Sequence, residues 1–200
     1  MCREKMEQYR AQIAQLVQRN PNQLSVDEYL YIINVINSRT PGNFLIFGVG
    51  RDSSLWMEVN GNGRTVFLED NPGWLTRMKS ANAGIEAYRI EYNTQRWQWR
   101  QLLAEYRRGI DRLSMELPEC VAGTPWDFIF VDAPAGYKRE HPGRMKSICA
   151  AAKLAGNNNV TDVFVHDCNR KVERVYCDYF LQKEHLVTAI GRMRHYYLAA

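Results

Sequence analysis

Asn43-Phe44-Leu45-Ile46-Phe47-Gly48-Val49-Gly50-Arg51-Asp52-Ser53-Ser54 is the stretch on which the fold turns. Phe44 to Phe47 is a short continuous apolar run, the pattern of a buried strand. Gly48 and Gly50 follow at once, and a helical pattern opens near Ser53 with Leu55, Trp56 and Val59 as its apolar positions. Strand, glycine turn and helix start form the first βα unit of a nucleotide-binding sheet. Glycine suits this turn because the chain bends sharply and a ligand comes close to bare backbone. Downstream, Arg64 to Glu69 reads as a second strand ending in a carboxylate. Glu69 follows Gly50 by about 20 residues, the spacing of an acid that binds ribose hydroxyls.

The turn is Gly-x-Gly-x-x-Ser, without the third glycine that lets a helix pack close under a pyrophosphate. A cofactor with an adenosine but no phosphates, such as S-adenosylmethionine, does not need it. The cofactor-side candidates are therefore Phe47, Gly48, Gly50, Asp52, Ser53, Glu69 and Asp70, with Asp132 across the rim.

The chain has 200 residues, 46% of them hydrophobic and 24% charged. That length fits one domain with a substantial core. No run approaches the 18 or so apolar residues of a membrane span, and no signal peptide is visible in the charged N-terminus, as a fragment cut from a longer, anchored protein would also show. No membrane contact is expected. The net charge of +4 permits an acidic substrate without demanding one. The cysteines, Cys2, Cys120, Cys149, Cys168 and Cys177, form no Cys-x-x-Cys pair, so scattered reduced thiols are expected rather than a zinc site or disulfides.

In order, residues 3–19 read as a helix with an apolar stripe at Ile13, Leu16 and Val17, broken by Asn20-Pro21-Asn22. A second helix starts at Ser25, with Glu28 completing a capping box. The two either pack on the sheet or form a lid over the substrate. A short helix over Trp74 to Ala81 and a third strand over Ala87 to Tyr92 follow. The next helix is rich in arginine, with Trp97, Leu102, Leu103 and Tyr106 as its candidate buried residues. Phe128 to Val131 is a strand buried on both faces, ended by Asp132. Pro142 suits the first turn of a helix running through Ile148 and Leu154. Val160 to Val165 is a fifth strand, and Lys171 to Leu181 a helix. Leu186–Ile190 and Arg194–Leu198 are two final antiparallel strands joined at Gly191.

In open α/β sheets ligands sit outside the carboxyl ends of the strands. Gly48, Glu69, Asp132 and His166-Asp167 all fall on that rim. Asp132, His166 and Asp167 are the catalytic candidates, with His166 suited to general-base work. Asp132, Asp167 and Asn169 offer oxygen ligands to one hard divalent cation. The loop carrying Tyr137, Lys138 and Arg139 leads to Arg144, whose guanidinium could grip a carboxylate through two parallel hydrogen bonds. Arg192 and Arg194 are further substrate-side candidates.

Phe44-Leu45-Ile46-Phe47-Gly48-Val49-Gly50, Thr65-Val66-Phe67-Leu68-Glu69, Val131-Asp132-Ala133-Pro134, Pro142-Gly143-Arg144-Met145, Val163-Phe164-Val165-His166-Asp167 and Gly191-Arg192-x-Arg194-His195 occur in that order. Together they resemble the plant polysaccharide-biosynthesis family of glucuronoxylan 4-O-methyltransferases and arabinogalactan glucuronic-acid methyltransferases, over about residues 25–198. The resemblance implies an α/β, Rossmann-like class I methyltransferase fold. Its sheet is seven-stranded and mostly parallel, with an antiparallel last strand, N-terminal helices over 1–40 and a core over 43–198. It also implies S-adenosylmethionine as methyl donor and, as acceptor, the 4-hydroxyl of glucuronic acid on an acidic polysaccharide such as xylan. Divalent-metal dependence is associated with the family. Where plant members commonly show His-Asp, this chain has Arg51-Asp52. The implied location is the Golgi lumen for a trimmed plant-type enzyme, and otherwise the soluble cytoplasm. Three rivals stay open: an RNA methyltransferase, suggested by the basic charge and Trp97-x-Trp99, a dinucleotide oxidoreductase, and a scaffold that keeps the fold without catalysis. Nucleic acid is not the expected partner.

Overall fold

The computed structural model describes residues 3–21 and 23–199. Cys2 and Asn22 lie outside the described residues. Seven strands form one sheet: β1 (Phe44–Phe47), β2 (Thr65–Glu69), β3 (Glu86–Arg89), β4 (Phe128–Val131), β5 (Val160–Val165), β6 (Leu186–Ile190) and β7 (Met193–Ala199). Their order is β3-β2-β1-β4-β5-β7-β6. All contacts from β3 to β5 are parallel, and β7 runs against both β5 and β6. This is the mostly parallel sheet with an antiparallel last strand that the sequence implies. The strand order reverses between β1 and β4, and at that switch point the connections leave to opposite sides and open a crevice.

Both faces of the sheet are covered, which is why β1 and β4 read as unbroken apolar runs. On one face lie Leu45, Phe47, Val66, Ile129 and Val163. They pack under α5 (Trp99–Arg107), α7 (Met145–Ala155) and α8 (Lys171–Phe180). The other face presents Phe44, Ile46, Phe67, Phe128, Phe130 and Phe164 to α1 (Arg3–Arg19), α2 (Val26–Arg39), α3 (Ser53–Asn60) and α4 (Pro72–Ala81). Trp56 of α3 anchors that aromatic face. Its ring centroid lies 5.5 Å from Tyr29, 6.1 Å from Phe44 and 5.8 Å from Phe130. A fully buried tryptophan in such a cluster is worth about 3–5 kcal/mol against alanine. The short α6 (Glu119–Ala122) precedes β4.

The capping box at α2 forms as expected. The Ser25 hydroxyl accepts from the Glu28 N–H at 3.3 Å, and the Glu28 carboxylate accepts from the Ser25 N–H at 2.6 Å. Of the α1 stripe, Ile13 is fully buried and joined by Tyr9, while Leu16 and Val17 pack at the margin.

Three local expectations need correction. The third strand is Glu86–Arg89, not Ala87–Tyr92: the Ile90 N–H still bonds the Glu69 carbonyl, but pairing ends there as the chain turns towards the rim. Pro142 lies before the helix, because Gly143 takes φ +71° and the helical turns begin only at Met145. Trp97 is 49% exposed rather than buried. It falls in a 3-10 turn (Arg96–Gln98) that docks on the loop after β4, so its position is out of phase with the buried Leu102 and Leu103. No described helix is long and apolar enough to cross a membrane.

Candidate functional site

A cleft of about 570 Å³ opens at the carboxyl ends of β1, β2 and β4. Gly48, Gly50, Asp52, Glu69, Asp70 and Asp132 all line it. The turn is built from glycine for two separate reasons. Gly48 sits at φ +113°, and a Cβ there would come within 3.0 Å of the Ala133 Cβ. A Cβ on Gly50 would lie 2.3 Å from an Asp52 carboxylate oxygen. Ser53 is buried, and its hydroxyl accepts from the Gly50 N–H at 3.0 Å, closing the turn.

Each acid of this wall has its own setting. Asp52 accepts from the Tyr29 hydroxyl and from the Trp56 indole N–H, both at 3.0 Å. Burial, helped by the nearby Asp132 charge, outweighs these neutral donors and pushes the Asp52 carboxyl up to about 6. The Glu69 carboxylate accepts from the Val49 N–H at 3.0 Å and the Asn71 N–H at 2.8 Å. Burial raises it all the same, as it does Asp70. Trp74, at the start of α4, donates its indole N–H to the Val49 carbonyl at 2.6 Å and forms a side wall.

Asp132 connects this cleft to a second cluster. Ligand atoms of Asp132, His166 and Asp167 lie within 4.8 Å of one another. His166 Nδ1 is 2.9 Å from Asp132 Oδ1. His166 is 1% exposed, so Asp132, not His166, is the cleft-facing member of the pair. The far imidazole nitrogen, Nε2, has no hydrogen-bond partner among the described residues and sits 3.9 Å from Glu28 Oε1. Asp167 takes φ +62°, a left-handed conformation rare for a residue with a side chain. Burial alone would raise Asp132, but the Arg144 guanidinium and the His166 hydrogen bond outweigh it and hold its carboxyl below the usual range.

Arg144 is placed differently from its expected substrate-gripping role. It is buried, and its Nη2 lies 2.9 Å from Asp132 Oδ1 and 2.8 Å from Asp167 Oδ2. The same nitrogen also donates to the Asp132 carbonyl. The loop after β4 and the start of α7 fold Arg144 under the rim, so its charge is spent inside the protein. Arg170 adds a contact to Asp167 at 3.0 Å and Arg192 one at 3.4 Å.

Of the expected metal set, Asn169 is exposed, and His166 brings an imidazole nitrogen into the cluster with Asp132 and Asp167. Two carboxylates and an imidazole are a sound donor set for a divalent ion. Here, however, the Arg144 guanidinium already occupies the position between the carboxylates that a cation would take. The residues as arranged do not fit a metal.

Other candidates fall away from the cleft. The Phe47 side chain is buried on the opposite face, and Ile46 and Phe130 line the cleft instead. Arg194 pairs with Asp178 of α8 at 2.7 Å. Tyr137 is 66% exposed with its ring against His141, and Lys138 is exposed beside it. His195 is structural, bonded to Asp162 at 2.7 Å and Tyr31 at 2.8 Å. Sequence reading missed Tyr29, Trp74, Arg51, Asn20 and Gln23 as lining residues. The junction of α1 and α2 reaches the cleft, so the N-terminal helices both pack on the sheet and border the site. Only Trp74 carried a local signal, an aromatic opening the helix after the acid-ended strand.

The fold is shared with solved methyltransferases. A crystal structure assigned as a caffeoyl-CoA O-methyltransferase from Staphylococcus aureus superposes with a TM-score of 0.57, 12% identity, and coverage of 96% of this chain and 92% of that one. The sheet is thus a class I S-adenosylmethionine-dependent methyltransferase fold. In sequence the chain is 36% identical over 192 residues to arabinogalactan O-methyltransferase 1 of Arabidopsis thaliana, covering 87% of this chain and 66% of that protein. It is 35% identical over 189 residues to glucuronoxylan 4-O-methyltransferase 1 of the same plant, covering 87% and 67%. The chain therefore spans about two thirds of the length of these relatives. The IRX15/IRX15L/GXM family profile matches residues 27–196, which include every rim residue described above from Glu28 to Arg192, and the chain belongs to that family.

Proposed function

We propose that the chain is an O-methyltransferase that uses S-adenosylmethionine and methylates the 4-hydroxyl of glucuronic acid residues on a polysaccharide such as glucuronoxylan or arabinogalactan. The observation that carries this reading is a glycine-turned, acid-lined cleft ending at a carboxylate backed by a buried histidine. The relatives' names supply the acceptor class.

The residues present fit the cofactor. Bare backbone at Gly48 and Gly50 leaves room for close approach. Glu69 spends one lone pair of each oxygen on a backbone N–H and keeps the others for vicinal hydroxyls. The carboxylates around the cleft favour a cationic sulfonium. When bound, S-adenosylmethionine supplies an activated electrophilic methyl group.

The protein then has to align a sugar hydroxyl and accept its proton as the new bond forms. Asp132 is the group in reach of the cleft, and Arg144 and His166 keep it ionised. The proton comes to rest on the Asp132 carboxylate, whose Oδ1 lies 2.9 Å from His166 Nδ1. An imidazole N–H donated there orients the carboxylate, so His166 acts through Asp132 as a positioning residue. Arg144 holds Asp132 and Asp167 in register.

The test is calorimetric titration with S-adenosylmethionine and S-adenosylhomocysteine, followed by methyl-transfer assays on glucuronoxylan and arabinogalactan fragments. The wild type should bind both nucleosides, and Glu69→Ala should weaken them by roughly tenfold or more. Asp132→Asn should lower kcat by about 10²–10⁴-fold while changing cofactor affinity far less. A wild type that binds neither nucleoside would sink this reading and bring the non-catalytic scaffold forward.

A further inference from the structure

We propose that Arg51 is the carboxylate-binding residue of the cleft, an assignment that rests on the methyltransferase reading. Both ligands of that reaction carry a carboxylate: the amino-acid tail of the sulfonium cofactor, and the uronic acid of the acceptor. Either one entering this cleft meets Asp52, Glu69, Asp70 and Asp132. A carboxylate is repelled by such a wall unless a cation stands within a few ångströms of where it rests.

Among the described lining residues Arg51 is the only cation. The arginine expected for the task, Arg144, is folded inward against Asp132 and Asp167. Arg170 and Arg192 are likewise engaged with Asp167, outside the cleft lining. Arg51 differs from all three. It is exposed, and its Nη1 approaches the Asn20 side-chain oxygen at 3.4 Å, the long limit of a hydrogen bond. Its root is nonetheless fixed, because Gly50 before it and Ser53 after it are tied together by hydrogen bonds in both directions. The result is a guanidinium on a rigid turn, with its paired N–H groups available to a carboxylate. The neutral amides of Asn20 and Gln23 line the same cleft and offer further donors.

The two sources of carboxylate are separated by ligand choice. Arg51→Gln and Arg51→Lys would be titrated with S-adenosylhomocysteine and with 5′-methylthioadenosine, the same nucleoside thioether lacking the amino-acid tail and so its carboxylate. Only loss of a carboxylate contact, not of the cationic ammonium, makes removal of a guanidinium weaken binding. KM would be measured for a glucuronic-acid-bearing xylan fragment and for its carboxyl-reduced form, with thermal melts confirming that the exposed substitution leaves the fold intact.

If Arg51 holds the cofactor tail, Arg51→Gln weakens S-adenosylhomocysteine by roughly ten- to a hundredfold and leaves methylthioadenosine unchanged. If it holds the acceptor, the nucleosides are unaffected and KM for the uronate fragment rises by that factor, but not KM for the reduced one. Arg51→Lys recovers part of the loss in either case. Equal weakening of carboxylate and carboxylate-free ligands, or no change beyond about twofold in any of them, overturns the assignment and leaves the methyltransferase reading standing. A wild type that binds no nucleoside overturns both.

Discussion

Two aspartates face the same cleft and are driven in opposite directions. Asp52, on the β1 side, is pushed up to about 6, whereas Asp132, at the end of β4, is held below the usual carboxylate range. Burial raises both. The difference lies in the partners: Tyr29 and Trp56 give Asp52 neutral hydrogen bonds, while Arg144 and His166 give Asp132 a full charge and an imidazole. One half of the rim is left electrostatically incomplete and the other is completed from within. An incomplete half suits a cationic ligand, because the ligand itself relieves the repulsion. A completed half suits chemistry, because its geometry does not wait for a ligand.

The strongest way to break this contrast is Arg144→Ala. It leaves the buried Asp167 and the partly buried Asp132 without their shared guanidinium, at a cost of about 3–5 kcal/mol. Denaturant unfolding would show it. An unchanged midpoint with only a raised acceptor KM would instead make Arg144 a substrate clamp.

Asp52→Asn probes the incomplete half through pH. Because the folded-state carboxyl titrates near 6 and its ordinary value is 3.8, the folded chain holds the proton more tightly than the unfolded one. Stability is therefore lost as pH rises from about 4 to about 6, by on the order of 3 kcal/mol from this group. Asp132 works the other way, its contribution being lost as pH falls. The difference between wild-type and Asp52→Asn unfolding curves isolates the first effect: the variant should gain on the wild type across that window. A pH-independent difference would mean that Asp52 is not raised.

The smallest effect is expected from Ser53→Ala, which removes one acceptor from the glycine turn and should cost about 1 kcal/mol. It should also loosen cofactor binding on the β1 side without altering the β4 side.

Much of the fold could be read from the residues because the strands announce themselves. Phe44–Phe47 and Phe128–Val131 are short apolar runs buried on both faces, each followed by a turn residue with chemical character. The rim residues were legible for the same reason, since they stand where such runs stop. The edge strand was harder. Glu86 is partly exposed and pairs with Arg64 at 2.6 Å, so no apolar run marks where the strand begins. Trp97 was misplaced because a 3-10 turn shifts the phase of everything before α5. Within the site, sequence could not separate the arginines. Arg51, Arg144 and Arg192 are the same letter, and only the fold decides which one is folded under the rim and which one faces the cleft. Glu28 was legible as a helix cap, but nothing local indicates that its second oxygen reaches the far hairpin.

That second oxygen has a consequence for how the molecule is made. Glu28 Oε1 accepts from the Arg192 N–H at 2.6 Å, a contact between residues 164 positions apart, and it lies beneath His166. The floor of the histidine is thus assembled from a segment synthesised early and one synthesised late. During translation the sheet's central strands can pair while this floor is still missing, and closing so long a loop comes after the local contacts have formed. A ribosome stalled before residue 192 would display the cleft with Glu28 Oε1 lacking the Arg192 N–H that fixes it beneath His166.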